Sequence, residues 1–170
     1  MPEIHLKSKD FAKETADELL GKVWEDRGFP VDPVTIANRL GIQVVRTLLP
    51  EKVSGAIFKE KQKDPIIVLH SKDSENRRRF TCAHELGHYI YRLNNDQIGE
   101  TFEWIDFRGL DSSSGKREEE IFANTFAANL LMPEKEVRLQ LKKNNKILLP
   151  IHFGVSDEAL ENRLKNLSIY

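Results

Sequence analysis

The chain has 170 residues, enough for one domain with its own core and too few for two comfortable ones. Hydrophobic residues make up 39% and charged residues 31%, a balance that excludes a disordered chain. Lys and Arg total 26 against 27 Asp and Glu, a net charge of −1, so composition gives no reason to expect direct nucleic-acid binding or a membrane partner.

Phe11, Ala12, Ala16, Leu19, Leu20, Val23 and Trp24 recur at helical spacing, and "RGFP" ends that first helix. Asp32 can cap a second helix with Pro33 in its first turn, and "VTIANRL" then runs to a stop at Gly41. Three β-branched segments follow, "IQVVRTLL", "VSGAIFKE" and "PIIVLH", separated by the turn-prone "PEK" and "KQKD". Their lengths predict an antiparallel meander of three strands. Ser74 and Glu75 then open a helix that runs to about Leu93. Residues 94–116 are turn-rich and read as a long connection, the kind that often serves as a lid or substrate contact. They also carry Phe102, Trp104, Ile105 and Phe107, so part of the segment should pack down or meet a partner. "KREEEIFANTFAANLLM" is a strong helical pattern stopped by Pro133, and "EKEVRLQLKKN" and "SDEALENRLKNL" are two further amphipathic helices. The expected fold is α+β, a single domain over 1–170 with its core at about 10–133 and a helical extension from about 134 to 170. Cys82 stands alone, which excludes an intramolecular disulfide. No leader-like stretch and no apolar run near the length of a membrane span occurs, so a cytoplasmic protein is expected.

The stretch "RRRFTCAHELGHYIYRL" carries H-E-x-x-H on the helix predicted from Ser74 to about Leu93. Residues four apart on a helix share a face, so His84 and His88 project together and can bind one metal ion. Glu85 lies about 100° around the helix and can take a proton from an attacking water rather than bind metal. A catalytic zinc needs a third protein ligand, and "EEEIFANTFAANLLMP" is the source. Glu118 shares a face with Phe122, Thr125 and Asn129, and Glu119 with Ala123, Phe126 and Leu130. Glu120 shares one with Asn124, Ala127, Ala128 and Leu131, an acid followed by an amide and small residues that let helices approach. The third ligand is therefore read as Glu120, with Asn124 accepting a hydrogen bond from the outer nitrogen of a ligand histidine. Glu118 and Glu119 are read as solvated acids favoured at a helix N-terminus.

Together, "RRRFTCAHELGHYIY" and "EEEIFANTFAANLLMP" resemble the ImmA/IrrE family of zinc metallopeptidases. "SGAIF", "PIIVLH" and "FGVSDEALENRLKNL" agree, and the resemblance covers most of residues 12–168. It implies a compact zincin-like domain with one zinc on His84, His88 and Glu120, and Glu85 acting in catalysis. It also implies a protein substrate, typically a helix-turn-helix transcriptional repressor encoded nearby, whose cleavage releases the repressed genes.

Other residues carry lesser readings. Cys82 is expected as a buried core thiol. His70, His152 and Tyr91 are further cleft candidates, with Tyr89 beside them, although each more often serves packing. "RRR" at 77–79 splays across a helix and is read as solvated, ion-paired surface rather than a phosphate site. "FGVSDEALENRLKNL" has the outline of a helix-turn-helix, but acids outnumber bases in it and a packing role is expected. Two functions fit this sequence. One is a zinc endopeptidase; the other is a binding module that grips a repressor or antitoxin-like partner without cutting it.

Overall fold

The computed structural model describes residues 2–95, 102–107, 117–143 and 146–169. In chain order they form α1 (Pro2–Leu19) continued by a π-helical turn (Leu20–Trp24), α2 (Pro33–Arg39), β1 (Gln43–Thr47), β2 (Val53–Lys59) and β3 (Ile66–His70). Then come α3 (Glu75–Asn94), β4 (Phe102–Phe107), α4 (Arg117–Leu131), α5 (Glu134–Lys142), a 3₁₀ turn (Lys146–Leu148), α6 (Leu149–Phe153) and α7 (Asp157–Asn166). Side-chain caps set several of these boundaries. Asp32 accepts from the Val34 N–H at 3.1 Å and the Thr35 hydroxyl at 2.7 Å, ahead of Pro33. Ser74 accepts from the Arg77 N–H at 3.3 Å to open α3, and Ser156 from the Ala159 N–H at 3.2 Å to open α7. Such caps contribute about 1 kcal/mol each.

The architecture is the expected α+β, zincin-like one: a small sheet crossed by the helix that carries H-E-x-x-H. Its strand order corrects the meander. The sheet has four strands among the described residues, in the order β1-β3-β2-β4, and β1 pairs with β3 in parallel. β2 and β3 form the expected antiparallel pair. Burial explains the order. β2 and β3 are the apolar strands and occupy the centre, while β1, with Arg46 and Thr47 exposed, lies at an edge. Residues 48–52 join β1 to β2, which lie on either side of β3. The fourth strand corrects the reading of 94–116 as a structureless connection: Phe102–Phe107 pairs antiparallel with β2 at the other edge. Residues 96–101 and 108–116, the rest of the expected lid, lie outside the described residues.

α3 packs across β2 and β3, α4 packs on α3, and α1 covers α4. Phe122, Phe126, Leu130, Leu86, Ile57 and Ile67 are fully buried between these layers. Two glycines permit the close approaches. A Cβ on Gly55 of β2 would meet Thr81 Cγ2 at 2.5 Å, so only glycine lets α3 settle on the strand. A Cβ on Gly87 would lie 2.8 Å from the Ala123 Cα, so α3 and α4 touch backbone to backbone there. Gly87 gives up about 1 kcal/mol of helix propensity for this contact.

The arginine run does splay, but it is more than surface. Arg77 donates to the Ser54 hydroxyl at 3.1 Å, and Arg78 to the Ser71 and Asp73 carbonyls. Arg79 reaches inward to the carbonyls of Gly154 and Val31. It is half-buried, and burial lowers its pKa from the ordinary guanidinium value. Three consecutive arginines thus tie α3 to the sheet, to the preceding turn and to the α6–α7 corner. Among the described residues no helix is long and apolar enough to cross a membrane.

Candidate metal centre

His84 and His88 sit on the buried middle of α3, one turn apart, with ring centroids 4.6 Å apart and planes near perpendicular. Their Nε2 atoms are 3.0 Å apart. The close crossing at Gly87 brings the first turn of α4 against them. Glu120 then places one carboxylate oxygen 3.3 Å from His88 Nε2 and the other 3.5 Å from His84 Nε2. Among the described residues, His84, His88 and Glu120 form a group able to hold a metal ion. Ligand atoms bound tetrahedrally at about 2.0–2.1 Å stand about 3.3 Å apart. The observed separations bracket that value, and two imidazoles with a carboxylate are the donor set of a catalytic zinc site. The residues fit a divalent metal ion.

Glu85 is completely buried, its Oε1 lies near Gly55 of β2, and its charge favours the protonated His88 ring. Glu120 is the most open of the four, its side chain 20% exposed. It faces a cleft of about 730 Å³ between α3, α4 and α7, which His84, Asn124, Phe80, Ala128 and Ala159 also line.

The electrostatics of the pair are uneven. Burial, helped by the charge on His88, pushes the His84 imidazole down to about 3. Burial also opposes charge on His88, but hydrogen bonds to Glu119 and Glu120 outweigh it and raise that imidazole to about 9. The pair therefore favours charge on His88 and disfavours it on His84.

Glu119 is the residue that sequence reasoning missed. It is buried rather than solvated, and its Oε1 lies 3.0 Å from His88 Nδ1. The guanidinium of Arg92, one turn after His88, donates to the same oxygen at 2.8 Å. The signal was present: Glu119 shares its face with Ala123, Phe126 and Leu130, an apolar stripe that must turn inward. Asn124, by contrast, is exposed in the cleft beside His84. It acts on the His84 ring as a hydrogen-bond partner that favours charge, yet Nδ1 of His84 has no hydrogen-bond partner among the described residues.

The remaining candidates lie elsewhere. His70 ends β3, buried, with Nδ1 accepting from the Lys72 N–H at 3.1 Å. His152 on α6 contacts Glu136 at 3.0 Å and stacks near Phe29 and Phe153. Tyr91 packs on Phe122, and Tyr89 is partly buried, burial raising both hydroxyls. None of the four lines the cleft among the described residues. Cys82 is fully buried and burial pushes its thiol up, as expected for a core residue.

Residues 37–165, which hold both motif segments, match the family described as the IrrE N-terminal-like domain, peptidase M78. The chain belongs to this M78 family. The M78 match leaves out α1 and most of α2. The chain is also 31% identical over 105 residues to the "Uncharacterized immunity region protein 2" of Bacillus phage phi105, an alignment covering 61% of this chain and 60% of the phage protein. It is 28% identical over 107 residues to the "Radiation response metalloprotease IrrE" of Deinococcus radiodurans, covering 61% of this chain but 27% of that protein. The alignments thus span less than two thirds of either relative.

Proposed function

We propose that this M78 chain is a zinc-dependent endopeptidase in which His84, His88 and Glu120 hold the metal and Glu85 handles the proton. The observation that carries the reading is the convergence of two imidazole nitrogens and a carboxylate to within 3.0–3.5 Å of one another. That group opens on a cleft large enough for several side chains of a substrate. A zinc ion held there supplies Lewis acidity to a peptide carbonyl and makes water acidic enough to lose a proton near neutrality. Glu85 accepts the proton of the attacking water and returns it to the departing amine, so that the new carboxyl and amino ends form with the charge balanced. α7 forms the far wall of the cleft and sets which segment of substrate fits.

The substrate class is a protein, and we favour a helix-turn-helix repressor. The resemblance to the ImmA/IrrE proteins supports this, as do the relatives' names, one an immunity region protein and one a radiation response metalloprotease. Both point to regulation rather than digestion.

Glu85→Gln tests the mechanism. Glutamine keeps the shape but cannot take a proton, so cleavage of a helix-turn-helix repressor substrate should fall by about 10²–10⁴. Zinc content, measured on the same samples, should stay at one per chain. Cleavage at the wild-type rate would sink the role of Glu85. Tight binding of the repressor by wild type with no fragments by mass analysis would instead favour the non-cleaving binding module.

A further inference from the structure

The two histidines are backed differently. His88 is completely buried, with Glu119 on its Nδ1 side at 3.0 Å and His84 and Glu120 on its Nε2 side. His84 is almost as buried, yet its Nδ1 meets no hydrogen-bond partner among the described residues. Arg92 braces the acid: its Nε donates to Glu119 Oε1 at 2.8 Å, and its Nη2 lies 3.5 Å from Oε2. His84, His88 and Arg92 thus follow one another at four-residue steps along α3. The consecutive acids Glu119 and Glu120 meet opposite nitrogens of the same ring.

We infer that Glu119, braced by Arg92, is a positioning residue that fixes the tautomer and angle of His88 and makes it the anchoring metal ligand. The inference rests on the metal-centre reading above. A carboxylate can only accept, so the neutral His88 ring must carry its hydrogen on Nδ1. The lone pair then lies on Nε2, aimed at His84 and Glu120, where a metal needs it. Without Glu119 the buried ring could place its hydrogen on either nitrogen, and one of the two tautomers cannot bind. Arg92 acts through Glu119, holding the shared oxygen in place.

The test measures zinc affinity of the full chain by competition with a chromogenic chelator, alongside the zinc-loaded His88 tautomer by long-range proton–nitrogen NMR. Glu119→Ala should weaken zinc binding about 10–100-fold, the usual effect of removing such a partner, and mix the tautomers. Glu119→Gln keeps an oxygen that accepts from Nδ1–H, and should recover part of the affinity and the single tautomer. Arg92→Ala should cost less, and nothing further once Glu119 is gone. If Glu119→Ala does not fold, Glu119→Gln and Arg92→Lys carry the comparison, since the first keeps the shape and the second the charge. Folded Glu119 variants with wild-type zinc affinity and one tautomer would reduce the pair to a structural ion pair and overturn the inference. Wild type that takes up no zinc would overturn the metal-centre reading, and this inference with it.

Discussion

The seam between α3 and α4 and the wall formed by α7 border the same cleft but are held by different forces. The seam is steric: Gly87 and Ala123 meet backbone to backbone, and the polar groups that matter are buried behind that contact. The wall hangs on hydrogen bonds to backbone carbonyls. Asn76 donates to Val155 O at 3.1 Å, Arg79 to Gly154 O at 3.1 Å, and Arg163 to Met132 O at 2.9 Å. Only Leu160, Arg163 and Leu164 of α7 are buried. A close-packed seam moves as a unit or not at all, whereas single hydrogen bonds can be exchanged for water one by one. The candidate metal ligands therefore lie at the seam, while the wall is held by ties that water can replace.

The hardest blow to the seam is at Gly87. Gly87→Val would drive a branched side chain into the Ala123 backbone and Phe126, whose Cδ1 lies 3.2 Å from the Cβ position. It should destabilise the protein by about 3 kcal/mol and carry Glu120 away from the histidines, abolishing zinc binding. Gly21→Val is the control, because nothing beyond its own chain neighbours and helix backbone lies within 4 Å of a Cβ there. Urea unfolding and zinc titration of both variants decide the matter; equal behaviour would mean that the seam is not sterically set.

A smaller effect comes from pH. In the metal-free protein His88 is raised to about 9, so below that pH it holds a proton that zinc must displace. Affinity should rise about tenfold from pH 7 to 8 and level off above pH 9, with one proton released per zinc. A histidine left near its ordinary 6.5 would give a flat profile over that range. Zinc titrations in buffers of different ionisation enthalpy count the protons, and a flat profile would show that Glu119 and Glu120 do not hold His88 charged.

The wall should yield the smallest change. Asn76→Ala removes one tie to the α6–α7 corner and should cost about 1 kcal/mol of stability. Zinc affinity should not change, while KM for the protein substrate rises as α7 loosens. A loss of zinc in this variant would show that seam and wall are one unit.

Much of the centre was legible in the sequence because its spacing is local. His84 and His88 share a face on any helix, and the faces of "EEEIFANTFAANLLMP" singled out Glu120. Glu119 was misjudged for a physical reason. A helix N-terminus is solvated by default, and only the arrival of α3, with His88 and Arg92 on it, buries that acid. Asn124, whose face the sequence also picked out, stands exposed in the cleft beside His84 and acts on that ring as a hydrogen-bond partner. The strands were found and their order was not, because β1 joins β3 through contacts distant in the chain. β4 was hidden by the turn-rich residues on either side of it.

By itself the sequence determined what depends on a few neighbouring residues: the cap at Asp32, the helix start at Ser74, the helix periods, and the pair His84–His88. Those follow from backbone geometry that repeats within one turn. The tertiary structure alone decided which acid serves which nitrogen, which strands lie at the edges, and that Arg79 points inward. Each of these depends on where a second element crosses the first. For the metal centre that crossing is set by backbone contact at Gly87 and Ala123, a fit that appears only once α3 and α4 have met.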